Sequence, residues 1–360
     1  MTTKEHPDGQ ANPDGQANPD GQTHRDSTAG PHLAADDSLW DALVCPYCRG
    51  PLARRSEGAV CVDCGDEYPL ADSDTLDLRP QRTKSVEQTF ELDDAPRYPD
   101  LPFETVAGSA APAVDFSSVS LPRRLPRELA AHIPAATEAD SLALDLGCGT
   151  GIHREVCEAA GYRWVGLDVD PTAATVVGDG QALPFADDTF ECLISLKVAS
   201  QVQNPFVMFS EANRVLEPGG VFVGSVASGE PFFGSNTFKM TPVGLHELLR
   251  EGGFETERIF PGWDALTAQS MMGRFPLLPR PLSKAMVAPI KLASLLWYRL
   301  GALVVDHEKT SESYRRLNAA AELHFVAHAP GDAAQESGPA VATPSQEPDV
   351  ERTAARDHRR

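Results

Sequence analysis

Four of the seven cysteines fall in two close pairs, Cys45-Pro-Tyr-Cys48 and Cys61-Val-Asp-Cys64, with twelve residues between them. A Cys-x-x-Cys knuckle turns tightly enough for two sulfurs to reach one ion. Two knuckles at this separation can place four thiolates tetrahedrally around zinc. Gly50 and Gly65 stand just past the pairs, where a turn gains from φ > 0. Four thiolates close the coordination shell and leave no position for water, so the expected Zn2+ is structural. A ribbon over residues 38–80 has little core of its own, and the metal supplies the missing free energy.

A second cluster is built from glycines and acids. Ser141-Leu-Ala-Leu-Asp-Leu-Gly-Cys-Gly-Thr-Gly151 is an apolar strand running into a glycine-rich loop, with a helical stretch beyond. Such a strand delivers its loop to the carboxyl edge of a sheet, where ligands bind in open α/β folds. Glycines around Gly147-Cys148-Gly149 let the backbone approach a ligand closely. Dinucleotide folds space theirs as G-x-G-x-x-G; here they alternate, with Asp145 two residues ahead. An acid beside the loop repels a pyrophosphate and suits a ligand with an α-ammonium group, as S-adenosylmethionine (SAM) has. Asp168 ends the next strand in Val165-Gly-Leu-Asp168, where a carboxylate can accept both ribose hydroxyls of a nucleoside. A third acid, Asp179, precedes Gly180 and can take an adenine amino hydrogen, with Leu183 and Phe185 walling the base. Singly, each acid reads as well as a helix cap or a solvated loop. Three at successive strand ends point to one ligand.

Bringing these groups to one edge requires repeated βαβ units, and residues 121–330 alternate apolar strand-like runs with helical stretches. The expected strands are 142–146, 164–167, 175–177, 192–196, 221–226, 255–260 and 323–327. Residues 81–120 are Pro-interrupted and read as a linker. The first 36 residues hold a hexapeptide repeat of the type Asn12-Pro-Asp-Gly-Gln-Ala, and residues 331–360 are polar; both read as disordered tails.

Leu144-Asp-Leu-Gly-Cys-Gly-Thr-Gly151, Gly166-Leu-Asp-Val-Asp170, Gly178-Asp-Gly-Gln-Ala-Leu-Pro-Phe185, Asp188-Thr-Phe-Glu-Cys-Leu-Ile-Ser195 and Glu211-Ala-Asn-Arg-Val-Leu-Glu-Pro-Gly-Gly220 together resemble the class I SAM-dependent methyltransferases. The likeness is to the methyltransferase type 11 group, which includes the ubiquinone/menaquinone C-methyltransferases. It implies an α/β fold: a doubly wound, Rossmann-like, seven-stranded and mostly parallel sheet whose last strand is antiparallel. Carried over, Asp145, Gly147 and Gly149 line the methionine portion of SAM, Asp168 holds the ribose, and Asp179 with Gly180 holds the adenine. The ribbon, with Pro46 and Tyr68-Pro69-Leu70, resembles the Trm112-like zinc ribbons, which activate methyltransferases or are fused ahead of one. Two features depart from the family. Only ten residues separate Asp168 from Asp179, which predicts an abbreviated crossover. The loop Ser195-Leu-Lys-Val-Ala-Ser lacks the Asn-Pro-Pro-Tyr type motif of nucleobase and glutamine N-methyltransferases, which argues against DNA as substrate. His153 and His246 are candidate bases, or ordinary capping and surface histidines.

Charge narrows the setting. The chain carries 52 Asp+Glu against 31 Lys+Arg, a formal net charge of −21. That field disfavours broad nucleic-acid binding, which needs basic surface, and a halophilic source is expected from it. Scattered cysteines and the lack of an apolar leader predict a cytoplasmic protein. From Ala265 to Val305 the sign reverses: there is no Asp or Glu, and Arg274, Arg280, Lys284, Lys291 and Arg299 lie among large apolar residues. Pro276, Pro279, Pro281 and Pro289 are expected to break this stretch, part of an insertion over 261–320, into short helices. It reads either as a cap over the substrate pocket or as a membrane-touching lid, peripheral to the bilayer. The expected activity is methyl transfer to a small-molecule or lipid-like acceptor. The alternatives are an RNA or translation-factor methyltransferase that reads its target with the ribbon, and a non-catalytic SAM-binding regulator. No motif specifies an oligomeric state.

Overall fold

A computed structural model describes residues 37–72, 75–88, 113–231, 236–271, 275, 277–304 and 312–331. The tails expected over 1–36 and 331–360 lie outside the described residues, Gly331 excepted, as do the centre of the linker, Arg274 and Pro276. The chain opens with α1 (Asp37–Asp41) and an antiparallel ribbon of β1 (Leu52–Arg55), β2 (Gly58–Cys61) and β3 (Glu67–Pro69). Next come β4 (Leu76–Asp77), α2 (Arg127–Ala130), β5 (Leu142–Leu146), α3 (Arg154–Ala159), β6 (Arg163–Asp168), β7 (Val176–Val177) and β8 (Phe190–Leu196). The remainder is α4 (Pro205–Val215), β9 (Leu216–Ala227), α5 (Pro242–Glu251), β10 (Glu255–Pro261), α6 (Ala265–Gln269), α7 (Arg280–Val304), α8 (Glu312–Asn318) and β11 (Glu322–His328).

All seven expected strands form, in one sheet of order β10-β11-β9-β8-β5-β6-β7-β4, with β11 antiparallel to both of its neighbours. The sheet has eight strands where seven are expected. The eighth is β4, whose Leu76 and Asp77 pair in parallel with Val176 and Val177. A two-residue strand is too short to carry a periodic signal, so pattern reading passes over it. Between β6 and β7 the described chain forms only turns, with Asp170 Oδ1 accepting the Thr172 N–H at 2.9 Å; the crossover is abbreviated as expected.

Strand residues alternate between two buried layers. On one face Phe209 of α4 meets Phe222, Phe254 and Phe325, and Phe222 and Phe325 stack edge to face at 4.8 Å. On the other, Val114 and Phe116 pack with Leu125, Leu129, Val156 and Trp164. The ribbon is not a separate bead. Leu39, Leu43, Tyr68, Leu76 and Leu78 share the first layer with Leu167, Leu183 and Phe185. Main-chain bonds stitch the seam: Val44 N–H donates to Pro184 O at 3.0 Å, and Ala186 N–H to Ala42 O at 2.8 Å.

The proline-rich insertion breaks only in part as expected: α6 is short and Pro279 precedes α7, but α7 itself is long. Pro281 stands in the first turn of α7, where no N–H is needed, and the 25-residue helix runs on through Pro289. No described helix is long and apolar enough to cross a membrane.

Glu211 of α4 secures the seam from below. It accepts from Arg49 of the ribbon at 2.9 Å, from Arg214 at 2.8 Å and from the Leu183 N–H at 2.9 Å. Removing one partner of a buried ion pair strands the other, at about 3–5 kcal/mol. Glu211→Ala is therefore expected to lower unfolding stability by that order in a urea titration, and Arg49→Ala, whose side chain is half exposed, by far less.

Candidate functional site

The loop after β5 explains its own glycines. Gly147, Gly149 and Gly151 take φ of 78°, 54° and 70°, left-handed backbone that side chains disfavour. Gly147 and Cys148 N–H groups both donate to Leu167 O, at 2.7 and 3.1 Å, which hangs the loop on the end of β6. A Cβ on Gly147 would meet Val198 Cγ2 at 2.1 Å, whereas one on Gly149 would meet nothing within 4 Å. Gly147 is thus packed against the turn after β8, and Gly149 faces open space that a ligand can enter. The Gly149 N–H donates to Asp168 Oδ2 at 2.8 Å, and Asp170 N–H to Oδ1 at 3.0 Å. A carboxylate offers about four lone-pair sites, so Asp168, half-buried, keeps about two for hydroxyls.

The other expected residues divide. Asp179 is half-buried at the end of β7 and accepts from the Gln181 N–H and Nε2, at 2.9 and 3.1 Å, in a turn closed by Ala182. Gly180 is buried, with Leu146 Cδ1 3.2 Å from where its Cβ would be. Asp145 lies fully buried beneath the loop rather than on its open side. Trp164 Nε1 donates to its Oδ2 at 3.2 Å, and His153 Nδ1 lies 3.1 and 3.2 Å from its two oxygens. His153 stands at the N-cap position of α3 but is buried and its side chain makes no capping bond: Nδ1 faces Asp145 and the buried Nε2 has no partner among the described residues. Cys148 is buried, and burial, then the charges of Asp145 and Asp168, push its thiol well up, which makes it inert as a nucleophile. Leu183 and Phe185 do not present a wall. Phe185 is fully buried, edge-on to Phe190 at 5.0 Å and paired through its backbone with Leu43 of the ribbon. His246 sits in α5, packed on α4 and β10, and burial depresses its pKa.

The four thiols converge. The Sγ atoms of Cys45, Cys48, Cys61 and Cys64 lie within 4.8 Å of one another, with Cys48–Cys61 at 3.4 Å and Cys45–Cys64 at 3.7 Å. A tetrahedron of 2.3 Å zinc–sulfur bonds has edges of about 3.8 Å, so the donor set fits one zinc ion. Tyr68 Oη lies 3.1 Å from Cys45 Sγ, placed to donate to a thiolate. Gly65 takes φ of 76° as expected, but in the first knuckle the left-handed residue is Arg49, at 63°. Gly50 is needed instead because Asp63 packs where its Cβ would stand.

Sequence reasoning missed one cluster. Lys197, the residue after β8, holds φ of 72°, and its ammonium pairs with both Glu230 and Glu322. Glu322 Oε1 also accepts from His324 Nε2 at 3.2 Å. All four side chains are nearly buried, at the same carboxyl edge as the glycine loop and joined to it by Val198. Partners so far apart in the chain leave no spacing signal. Burial alone would raise the Glu322 carboxyl, but the His324 hydrogen bond and the Lys197 charge outweigh it and hold it at about 2. A depressed folded-state value stabilises above the ordinary 4.5, and that contribution, on the order of 3 kcal/mol, is lost as pH falls from 4.5 toward 2. Denaturant titrations across this window should show a steep loss in the native chain and a shallower one in Glu322→Gln, which starts from lower stability.

Residues 144–224 match a family model described as a methyltransferase domain. An uncharacterized methyltransferase of Mycobacterium leprae is 33% identical over 118 residues, covering 29% of this chain and 40% of the relative. One of Mycolicibacterium vanbaalenii is 33% identical over 125 residues, covering 31% and 45%. The chain thus spans less than half the length of these curated relatives. Among solved structures, the complex between the Haloferax volcanii Trm112 methyltransferase activator and a methyltransferase is similar at 19% identity over 57% of this chain and 89% of that one, with a TM-score of 0.40. A SAM-dependent methyltransferase of Archaeoglobus fulgidus is similar at 14% identity over 52% and 86%, with a TM-score of 0.35. At these scores the structural likenesses do not bear on activity. The family match covers β5 to β9, the strands that carry the glycine loop, Asp168, Asp179 and Lys197: residues 144–224 form a methyltransferase domain, of the kind whose methyl donor is SAM.

Proposed function

We propose that the chain is a SAM-dependent methyltransferase acting on a small-molecule or lipid-like acceptor. The observation that carries the reading is the Gly149–Asp168 cradle, an open-sided left-handed glycine whose amide is held on a half-buried carboxylate. SAM, when bound, supplies a methyl carbon already activated by its sulfonium, so the protein's part is alignment and exclusion of water. In this reading the loop backbone at Gly147, Cys148 and Gly149 takes the methionine portion. Asp145 acts from beneath it, fixed by Trp164 and His153. Asp168 takes the ribose hydroxyls, and Asp179 with Gly180 takes the adenine. Lys197, Glu230, Glu322 and His324 wall the acceptor side, where the Val198 turn meets the glycine loop.

The ribbon, in this proposal, is a Trm112-like module holding structural zinc and fixed to the domain it serves. An RNA-reading role is less well supported, because three of its four arginines are engaged: Arg49 with Glu211, Arg54 with Asp37 and over Trp40, and Arg79 with Asp77.

Calorimetry with SAM tests the central reading. The native chain should bind, Asp168→Ala should bind at least about tenfold more weakly, equivalent to about 1.4 kcal/mol, and Gly149→Val should not bind. Absence of heat from the native chain overturns the proposal, and binding without turnover of SAM against cell extract leaves a non-catalytic SAM-binding protein. Elemental analysis should find one zinc per chain, lost in a Cys61→Ser variant together with part of the thermal stability.

A further inference from the structure

The sharpest anomaly on the surface is α7. Its 25 residues make a rod about 37 Å long at 1.5 Å per residue. One side is anchored: Val287 and Ser283 are buried, and Lys291 Nζ donates to Thr267 Oγ1 at 2.8 Å and lies 3.3 Å from Asp264. The rest of its apolar surface is bare. Leu282, Met286, Ile290, Leu296, Trp297 and Leu300 are all more than half exposed, Trp297 by 76%. At 3.6 residues per turn these side chains share one arc of about 120°. Arg280, Lys284, Lys291 and Arg299 fall outside that arc, and the helix has no acidic residue.

A bare apolar arc of this length on a soluble surface marks an interaction site. Two occupants could cover it. A second α7 packed against the first would bury both arcs but bring together two helices that carry four cations each and no acid. A bilayer surface satisfies both parts at once, with acyl carbons against the arc and anionic headgroups around Arg299 beside it, on a helix with no acid to oppose them. The helix is too charged and too weakly apolar to cross. In a chain of net charge −21, which an anionic membrane repels elsewhere, a cationic apolar helix sets the orientation of approach.

We propose that α7 is a docking helix for an anionic lipid surface, lying in the interface plane with Trp297 and its neighbours among the headgroup and acyl boundary. Docking does not depend on methyl transfer. If the chain is a methyltransferase, the acceptor is expected to be a lipid reached from the membrane surface.

Co-sedimentation of the full chain with vesicles decides it. With phosphatidylcholine–phosphatidylglycerol vesicles the native chain should pellet, and with phosphatidylcholine alone it should pellet less. Trp297→Glu/Leu300→Glu should cut the bound fraction at least tenfold, and Arg299→Glu should weaken binding to the anionic vesicles only. These positions are exposed, so the variants should keep the native melting temperature. Failure of the native chain to pellet, or equal pelleting by the double variant, overturns the proposal. So does a native dimer that the double variant dissociates and that does not bind vesicles, which assigns the arc to a second copy. SAM heats on the same preparations separate failure of this proposal from failure of the methyl-transfer reading.

Discussion

One carboxylate holds three parts of this molecule in place. Glu211, on the middle of α4, takes a guanidinium from the four-cysteine ribbon, a second from its own helix and a main-chain N–H from the segment that follows the β7 turn. Arg214 continues the network, donating to Phe185 O, Leu183 O and Asp187. Burial opposes ionisation of Glu211, and the Arg214 hydrogen bonds and charge, with Arg49 behind them, more than reverse that. Such a pair adds less stability than it adds definition, because every alternative arrangement leaves a buried charge unmatched. What it defines is the path of residues 183–187. That path fixes where the ribbon docks and how the turn at Asp179 and Gly180 is presented at the carboxyl edge.

The sheet was largely legible in the sequence, and for a physical reason. Strands buried on both faces read as continuous apolar runs, and 142–146 is found where the pattern places it, with the longer strands extending by a few residues at their ends. The glycine loop was legible as well, since only glycine accepts alternating left-handed backbone. Illegible were the features created by meeting partners. Phe185 looks like a ligand wall beside Asp179 but is claimed by Leu43 and Phe190, and nothing local announces that the ribbon will reach it. Asp145 looks like an open acid and is sealed by Trp164 and His153. The Lys197 cluster assembles from two loops and a strand, and α7 runs past its prolines, one of which stands in the first turn.

The glycine loop and the Lys197 cluster meet at Val198. Its methyl group fills the space that a side chain on Gly147 would need, so the glycine loop and the strained turn carrying Lys197 are set against each other. Movement of either would be felt by the other across that contact. The buried charges behind Lys197 leave little freedom in this wall, in contrast to α7, which is held along one side only.

The pairing of β4 with β7 has a consequence for the order in which the chain can be built. β7 has only two residues and would otherwise leave the sheet with an open edge, the kind of template on which other strands add. The residues that cap it, Leu76 and Asp77, leave the ribosome long before Val176 and Val177 exist. The N-terminal ribbon must therefore wait, undocked and with Leu43, Tyr68 and Leu76 uncovered, until the sheet it protects has been synthesised. On the proposed reading, metal capture by its four cysteines needs nothing from the sheet, so early zinc loading would serve as a holding step in biogenesis, ahead of any service to the finished protein.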